Sequence, residues 1–341
     1  MTKKVSILLL IDGNSLFHRA YHALPPITDK SGEVANAVFG FSNMLIKAIN
    51  ETKPDYIACA FDTKAPTFRH VEFEQYKAQR VEPPADLYPQ LPKVKKVLDA
   101  FGIKFFEKEG YEADDLIATI VSKAIVADSP SVILSEAKES QKKIATSTTG
   151  RTRNDKVDQV IILSSDRDVL QLVDGNIKVQ MPGWNLKETS LYGATEVKEK
   201  FGLEPYQMVD FKSLTGDPSD NIPGISGVGP KTASTLLQKY HTLENLFKHV
   251  KETPLKVKQK LEAGEGAALA AKKLVELDRD VAISFKLSEL NFSPDWGRVR
   301  REYEELGFKS IVAKLPGSKK QDGVSQNSEQ KTDNQDQLEL I

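Results

Sequence analysis

The chain has 341 residues, of which 40% are hydrophobic and 28% charged, and its formal net charge at pH 7 is −1. This length predicts one large α/β domain with a smaller partner domain, and the near-zero net charge neither favours nor excludes a polyanionic partner. One cysteine, Cys59 in an apolar run, excludes a disulfide framework. Because no apolar stretch approaches the roughly 20 residues that span a bilayer, we expect a cytoplasmic protein.

Three short apolar segments predict buried strands, and each one ends at an aspartate. They are SILLLID, ending at Asp12, YIACAFD, ending at Asp62, and VIILSSD, ending at Asp166. Helical patterns such as VFGFSNMLIKAI and LPKVKKVLDAFG lie between them, so we predict parallel βαβ units with strands buried on both faces. Ligands of such sheets bind beyond the carboxyl ends of the strands. We therefore expect these aspartates, with Asp168 two residues further on, to lie close together.

The character of the sequence changes at three places. Residues 128–157 are rich in Ser, Thr and Lys and poor in aromatic residues, which predicts a mobile surface insertion. From residue 204 the chain consists of helical segments and glycine turns, and beyond residue 316 it is polar with few core-forming residues. We therefore predict an α/β domain over 1–203, a helical region over 204–315 and a disordered tail over 316–341.

The segment YEADDL places three carboxylates, Glu112, Asp114 and Asp115, immediately before an apolar helical run. On a helix Glu112 and Asp115 lie three residues apart and face the same way, while Asp114 points to one side. An acidic helix start that complements the helix dipole would explain this segment if it stood alone. It does not, because the strand ends and the later segment GDPSD bring further acids. The candidate metal ligands are Asp12, Asp62, Glu112, Asp114, Asp115, Asp166, Asp168, Asp217 and Asp220.

Carboxylates so close together repel one another, so the cluster requires cations at neutral pH. Oxygen ligands without histidine or cysteine select hard ions such as Mg²⁺ or Mn²⁺, and none of the 5 histidines lies in the acidic segments. Two such ions about 4 Å apart can activate a water for attack on a phosphodiester and stabilise the leaving oxygen. The acids therefore predict phosphodiester hydrolysis.

Six segments, taken in order, resemble one known family. They are IDGNSLFHRAYHALPP, AFDTKAPTFRH, YKAQR, YEADDLIAT, SSDRDVLQLV and GDPSDNIPGISGVGPKTA. Together they are similar to the structure-specific 5′ nucleases, in particular to the 5′→3′ exonuclease domain of bacterial DNA polymerase I. The likeness runs from about residue 5 to residue 315. The segment at 128–157 is longer than the connection usual in this family, and we expect no polymerase or proofreading domain to follow.

The resemblance implies a PIN-like α/β nuclease core with a parallel or mixed sheet, and a helical helix–hairpin–helix region. It implies cleavage of flaps and nicked duplex DNA with two divalent metals, Mg²⁺ or Mn²⁺. The first metal would be held around Asp62, Glu112, Asp114 and Asp166, with Asp12 close by. The second would involve Asp168, Asp217 and Asp220, with Asp115 supporting it through water. We expect an active, monomeric enzyme of DNA replication and repair, associated with the nucleoid of a bacterial cytoplasm.

By the same resemblance, Lys77 and Arg80 in EQYKAQR correspond to arch residues that reach towards the scissile phosphate. A positive charge beside the metals favours the charge that develops in the transition state. The residues alone would favour a different interpretation, a solvated helix face. With the resemblance, we assign both side chains a catalytic role.

The segment GISGVGPKTA predicts a hairpin between two helices. Gly227 and Gly229 allow a close approach of the backbone to a phosphate, and the next helix begins with free N–H groups. Lys231, and Lys212 in DFKSL, can add phosphate contacts. The resemblance also implies a K⁺ ion held by hairpin carbonyls.

Two residues in the segment that follows the first predicted strand are further candidates for DNA contact. Arg19 and Tyr21 lie in the segment FHRAY, and Tyr21 would offer an aromatic face to an unpaired terminal base. Core packing is an equally good interpretation of Tyr21, and the better one for Phe17 in the same segment.

Four functions fit these residues. The first is a 5′ nuclease that removes flaps or RNA primers, and the second is the nuclease part of a full DNA polymerase I. The third is a DNA-junction binder without catalysis, and the fourth is a PIN-type RNase. The intact acids argue against a DNA-junction binder without catalysis. The arch and hairpin segments go beyond what a minimal PIN-type RNase carries, and the polar C-terminal tail argues against the nuclease part of a full DNA polymerase I.

The last five residues, QLELI, resemble the short peptides by which bacterial replication enzymes bind the sliding clamp. The contacting residues would be Gln337, Leu338, Leu340 and Ile341. The preceding polar segment cannot fold by itself, yet it ends in apolar side chains that a disordered tail has no reason to expose. A solvated terminus is the simpler interpretation of so short a match, and clamp binding is the alternative hypothesis.

Overall fold

The computed structural model describes residues 4–125, 156–183, 185–186 and 188–317. Most of the insertion predicted at 128–157 and nearly all of the predicted tail, including the QLELI peptide, lie outside the described residues. Ile125 and Val157 form an isolated parallel bridge, so the two ends of the segment between them are neighbours. No helix in the described ranges is long and apolar enough to cross a membrane.

The core is a six-stranded sheet with the strand order β3-β2-β1-β4-β5-β6. Its strands are β1 (Ile7–Asp12), β2 (Tyr56–Ala60), β3 (Lys104–Phe106), β4 (Gln159–Leu163), β5 (Ile177–Pro182) and β6 (Thr189–Tyr192). Neighbouring strands pair in parallel, except that β6 runs antiparallel to β5 at one edge. The predicted α/β fold with a parallel or mixed sheet is therefore confirmed, and the three predicted strands are β1, β2 and β4.

Strand β1 lies between β2 and β4, and its last residues mark the edge at which all three strands end. Asp12 pairs with Ala60 of β2, and Ile11 pairs with Leu163 of β4. Because the three strands end at nearly the same level, the segments that follow them leave the sheet side by side. Asp12 is the last residue of β1, and the loops after β2 and β4 carry Asp62 and Asp166.

Twelve helices accompany the sheet in the part of the chain that the structure describes. They are α1 (Gly13–Ala23), α2 (Asn36–Thr52), α3 (Phe68–Glu72), α4 (Leu91–Ala100), α5 (Ala113–Ala124), α6 (Ala194–Phe201), α7 (Met208–Thr215), α8 (Pro230–Tyr240), α9 (Leu243–Lys248), α10 (Leu255–Val275), α11 (Trp296–Leu306) and α12 (Lys309–Val312). Short 3₁₀ turns lie at Tyr88–Gln90, Asp168–Leu172, Pro205–Gln207, Val250–Glu252 and Leu287–Leu290.

The alternation of side chains along β1 divides the core between the two faces of the sheet. Leu9 and Ile11 pack on the face covered by α1, α2, α4 and α11, whereas Leu8 and Leu10 pack on the face covered by α5. All four side chains are buried, as expected of a parallel strand with helices on both sides. Cys59 is buried in the first of these layers.

Helices α7 to α10 build a further cluster, whose buried residues run from Leu203 to Ala268. It includes Ile225 and Val228, which lie in the turn segment between α7 and α8. The chain then returns to the sheet, where α11 packs against α4 in the first core layer. The region predicted over 204–315 thus contributes both to a helical cluster and to the sheet core.

Glycine allows α10 to pack closely on the end of this turn segment, residues 224–229, which we call the hairpin. A Cβ on Gly264 of α10 would lie 2.7 Å from Cγ2 of Ile225, a buried hairpin residue. A Cβ on Gly266, two residues along the same helix, would meet no atom within 4 Å. The ammonium of Lys260, on the same helix, donates a hydrogen bond to the Gly227 carbonyl at 2.9 Å. Helix α10 therefore supports the hairpin directly.

We expect Gly264→Ala and Gly266→Ala to change stability in opposite directions. Both substitutions gain helix propensity, which favours alanine over glycine by about 1 kcal/mol. At position 264 the added methyl also overlaps a buried side chain, which costs about 1–3 kcal/mol. In thermal or urea unfolding, Gly266→Ala should therefore raise the midpoint and Gly264→Ala should lower it. Equal stabilisation by both would contradict the close packing of α10 on the hairpin.

Candidate active site

Beyond the carboxyl ends of β1, β2 and β4 lies an open cleft with many acidic side chains. The carboxylates that line it are Glu82 and eight of the candidate metal ligands, Asp12, Asp62, Glu112, Asp114, Asp166, Asp168, Asp217 and Asp220. Of the nine candidate ligands predicted from the sequence, Asp115 alone is not among the described residues that line the cleft. Open α/β sheets bind their ligands at this position.

The aspartates that follow the strands are held by hydrogen bonds and by burial. Asp12 caps α1 and accepts a hydrogen bond from the Ser164 hydroxyl at 2.7 Å. Asp62 accepts one from the Ala113 N–H at 2.7 Å, which ties the end of β2 to α5. Burial raises the pKa of Asp12 to about 7, and it also raises the pKa of Asp62 and of Asp166. Without a cation in the cleft, these carboxylates resist ionisation.

Glu112 and Asp114 lie at the N-terminal end of α5. Glu112 is the N-cap residue, and both of its carboxylate oxygens accept hydrogen bonds from Lys77 Nζ at 2.8 Å. The hydroxyl of Tyr76, which the sequence analysis did not single out, donates to Glu112 Oε2 at 3.0 Å. Burial raises the pKa of Asp114, and the charges of Asp115 and Glu112 raise it further. The first turn of α5 therefore presents two acids to the cleft.

Asp168, Asp217 and Asp220 form a group with the spacing of metal ligands, since one oxygen from each lies within 4.8 Å of the others. Lys212 Nζ contacts Asp168 and lies 2.7 Å from Asp217 Oδ2. Burial alone would raise the pKa of Asp217, but the charge and hydrogen bond of Lys212 outweigh burial and lower it. Three carboxylate oxygens so arranged suit a hard divalent cation.

Basic side chains supply part of the counter-charge that these acids need. Lys77 and Arg80, predicted as arch residues, pair with Glu112 and Asp220 at 2.8 and 2.6 Å. Lys212, predicted as a DNA-phosphate contact, lies within the cleft against the acids instead. Lys77 adopts a φ of 57°, which non-glycine residues rarely take, and its N–H bonds to the Asp220 carbonyl at 2.9 Å. That turn holds Lys77 between two acids.

The structure separates Asp115 from the acids that line the cleft. Glu112 is the N-cap residue of α5 and Asp115, three residues on, is its capping-box partner, but Asp115 does not line the cleft. Asp115 is 0% exposed, and its two oxygens accept hydrogen bonds from the Arg69 guanidinium at 2.7 and 2.8 Å. Its support of the second metal through water stays a prediction.

Helix α1 lines the cleft with residues that the sequence analysis did not single out. Asn14, His18 and His22 all line it, and the four-residue spacing puts them on one face of the helix. The ring of Tyr88, also in the cleft, lies 5.9 Å from the ring of His18 in an edge-to-face arrangement. The regular spacing after Asp12 is the sequence signal that could have found them.

Arg19 and Tyr21, the predicted DNA contacts on the same helix, are not among the described residues that line the cleft. Tyr21 packs against the first core layer and donates a hydrogen bond to Asp86 Oδ1 at 2.6 Å. Arg19 is half-buried. These contacts favour the packing interpretation of Tyr21.

The hairpin forms a second surface, separate from the cleft. Gly227 and Lys231 are exposed, as is Gly229, the N-cap residue of α8. Gly227 has a φ of +75°, a left-handed conformation that glycine adopts without strain. The described residues that line the cleft include none of these three. Their contact with DNA stays a prediction.

Two family models match the chain. One, described as 5'-3' exonuclease, N-terminal resolvase-like domain, matches residues 7–149, and the other, described as 5'-3' exonuclease, C-terminal SAM fold, matches residues 203–296. DNA polymerase I of Caldicellulosiruptor bescii is 36% identical over 313 residues, which are 90% of this chain and 33% of that protein. DNA polymerase I of Bacillus subtilis is 35% identical over 310 residues, 90% of this chain and 32% of that protein. The chain spans about a third of the length of these curated relatives.

Solved structures share the fold at low sequence identity. A T5 5'-exonuclease structure with bound zinc ions has a TM-score of 0.56 and 19% identity, covering 90% of this chain and 96% of that chain. The catalytic core of Rad2 in complex with DNA substrate has a TM-score of 0.53 and 18% identity, covering 91% and 93%. These likenesses confirm the predicted PIN-like core with its helical region, and at such identities they show the fold alone.

We expect Asp12→Asn to stabilise the metal-free protein at pH 8. The pKa of Asp12 is about 7 in the folded protein, against about 3.9 for an unfolded aspartate. As pH rises between these values, the unfolded state loses its proton first, so the stability of the wild type falls. Asparagine has no proton to lose and can still cap α1.

Unfolding in EDTA at several pH values checks this expectation. The stability advantage of Asp12→Asn should grow between pH 5 and pH 8, to at most about 4 kcal/mol. An advantage that does not depend on pH would contradict the raised pKa. Mg²⁺ should stabilise the wild type more than the variant, because it neutralises the charge that burial disfavours.

Proposed function

This chain belongs to the 5′-3′ exonuclease family, and on that premise we propose that it cleaves 5′ flaps, nicked duplex DNA and RNA primers with two divalent metals. Membership makes the chain a nuclease, a hydrolase of phosphodiester bonds. The observation that carries the proposal is the meeting of eight of the nine candidate ligands in one cleft beyond the strand ends. So much negative charge in a partly buried site favours the binding of cations.

The donor set fits two hard cations, Mg²⁺ or Mn²⁺. All of the proposed ligands are carboxylates, and the oxygens of three of them already lie within 4.8 Å of one another. One metal is assigned to Asp168, Asp217 and Asp220. The other is assigned to Asp62, Glu112, Asp114 and Asp166, with Asp12 close by. When bound, such cations supply the positive charge that stabilises a phosphodiester in its transition state.

Lys77 and Arg80 are the proposed phosphate-binding residues of the cleft. Lys77 Nζ is 2.8 Å from Glu112 Oε1 and 3.8 Å from Asp220 Oδ2. Burial would lower the pKa of Lys77, but the charges of Glu112 and Asp220 outweigh burial and raise it, so the ammonium stays charged. A fixed cation between the two groups of acids can donate to a phosphate oxygen as charge develops on it. The side chain of Arg80 is 55% exposed and can meet incoming DNA.

The hairpin is the proposed contact to duplex DNA. The exposed backbone of Gly227 and Gly229 at the start of α8 offers N–H groups to a phosphate, and Lys231 adds a positive charge. In the cleft, the rings of His18 and Tyr88 offer faces on which an unpaired base can stack. A duplex bound at the hairpin with its free 5′ end in the cleft would contact both surfaces.

The proposal includes a setting and further partners. The protein would work as a monomer in the cytoplasm, on nucleoid DNA during replication and repair, and its bacterial relatives support that setting. The proposal also includes a K⁺ ion at the hairpin carbonyls. It includes binding of the QLELI peptide, which lies outside the described residues, to a sliding clamp. The alternative is that the chain acts as the nuclease part of a full DNA polymerase I.

Cleavage of an end-labelled 5′-flap duplex tests the proposed function. The wild type should release the flap with Mg²⁺, and EDTA should abolish cleavage. Asp62→Asn and Asp166→Asn should each reduce turnover by on the order of 100-fold or more, because each removes a charged ligand oxygen. Asp99→Asn is the control, since the side chain of Asp99 is 72% exposed and lies outside the cleft. Undiminished cleavage by both cleft variants would refute the metal assignment.

Lys77→Ala and Lys231→Ala should affect different steps. Lys77→Ala should lower the single-turnover rate far more than it weakens flap binding, because its proposed partner is the transition state. Lys231→Ala should weaken binding and reduce the slope of log K against log salt by about one unit. Lys104→Ala, at the start of β3 and away from the cleft, is the matched control. A pure affinity effect of Lys77→Ala would show that its assigned role is wrong.

A further inference from the structure

Arg69 on α3 is a buried guanidinium with no part in the function proposed above. Its side chain is 1% exposed, and its N–H groups reach three residues. Nη1 and Nη2 donate to Asp115 Oδ2 and Oδ1 at 2.7 and 2.8 Å. Nε donates to the Leu274 carbonyl at 2.8 Å, and Nη2 also donates to the Glu276 carbonyl at 3.1 Å. Three segments that are distant in sequence therefore meet at this side chain.

Asp115 links the guanidinium to the first turn of α5. Besides the two bonds from Arg69, it accepts hydrogen bonds from the Glu112 N–H at 3.1 Å and the Asp278 N–H at 2.9 Å. The bond to Glu112 matters because the chain enters α5 at this residue, whose side chain turns into the cleft. Asp114, which precedes Asp115 on the same turn, also lines the cleft. The orientation of both acids thus depends on where Asp115 is held.

Arg69 also acts on these acids through its charge. Nη1 lies 3.8 Å from Glu112 Oε2, so Glu112 has a buried cation as well as the ammonium of Lys77 beside it. Without the guanidinium, the buried carboxylate of Asp115 would lose its counter-ion and two hydrogen-bond donors next to two further acids, and it would move. That movement weakens the bond to the Glu112 N–H. The turn that aims Glu112 and Asp114 would then loosen.

We propose that Arg69 is a positioning residue of the metal site, which fixes the first turn of α5 through its bidentate pair with Asp115 and so aims Glu112 and Asp114 into the cleft. Asp115 then acts as the link in this arrangement and not as an independent support of a metal through water. The inference rests on the proposed function in so far as the cleft binds divalent cations. Its test therefore measures cation binding in the absence of DNA.

Mn²⁺ binding to the DNA-free protein, followed by electron paramagnetic resonance, is the main measurement. Arg69→Met removes the charge and the bidentate pair, and it should weaken Mn²⁺ binding by about 10- to 100-fold. Arg69→Lys keeps the charge without the planar fork, so it should recover part of the affinity. Lys272→Met is the matched control, because Lys272 pairs with buried Asp210 at 2.8 Å outside the cleft. It should lower the unfolding midpoint and leave Mn²⁺ affinity unchanged.

A double-mutant cycle separates positioning from direct support of the metal. If Arg69 acts through Asp115, the double variant Arg69→Met/Asp115→Asn should bind Mn²⁺ about as weakly as Arg69→Met alone. Additive losses would show that Asp115 supports the metal independently, and they would overturn the proposal. Wild-type affinity in Arg69→Met would overturn it as well. If Arg69→Met does not fold, Arg69→Lys takes its place in the cycle with the same two outcomes.

Flap cleavage, measured in parallel, keeps the inference distinct from the proposed function. Arg69→Met should lower the maximal single-turnover rate while the dissociation constant for the flap stays within about threefold of the wild-type value. A weakened flap affinity with an unchanged rate would contradict a positioning role. A wild type that binds Mn²⁺ but cleaves no flap would overturn the proposed function, and the Mn²⁺ affinities would still decide the inference.

Discussion

Repulsion among carboxylates is the constraint on which the rest of the structure depends. Nine acids line one cleft, and burial raises the pKa of the strand-end residues Asp12, Asp62 and Asp166. Lys77, Arg80 and Lys212 pair with acids in the cleft and offset part of this repulsion. These pairs leave an excess of negative charge, so the arrangement is most stable when the cleft holds divalent cations. Stability and metal binding are therefore two consequences of the same cluster.

The order of the strands explains how so many acids meet. Because β1 lies between β2 and β4 and all three run in parallel, their carboxyl ends are adjacent. The helical region adds the remaining acids. Helix α7 packs near the 3₁₀ turn that begins at Asp168, and Asp217 and Asp220 follow α7 in the chain. A sheet edge and a helical cluster thus build one site, which neither could form alone.

The sequence predicts much of this because strongly patterned segments carry the information locally. A parallel strand buried on both faces is a continuous apolar run, and its polar end marks Asp12, Asp62 and Asp166. The direction of Asp115 is different, because it depends on Arg69, 46 residues earlier in the chain. Lys212 likewise meets Asp168 from 44 residues away. Such pairings leave no local pattern, so they follow from the tertiary structure and not from spacing along the chain.

Helix α10 connects the two surfaces of the molecule. It is 21 residues long, and its first half touches the hairpin through Lys260 and Gly264. Near its other end, the carbonyl of Leu274 accepts a hydrogen bond from Arg69 at 2.8 Å. At 1.5 Å of rise per residue, the contacts of Lys260 and Leu274 are about 21 Å apart along the helix axis. If the hairpin holds duplex DNA as proposed, α10 links that contact to Arg69 and, through Asp115, to the acids at the start of α5.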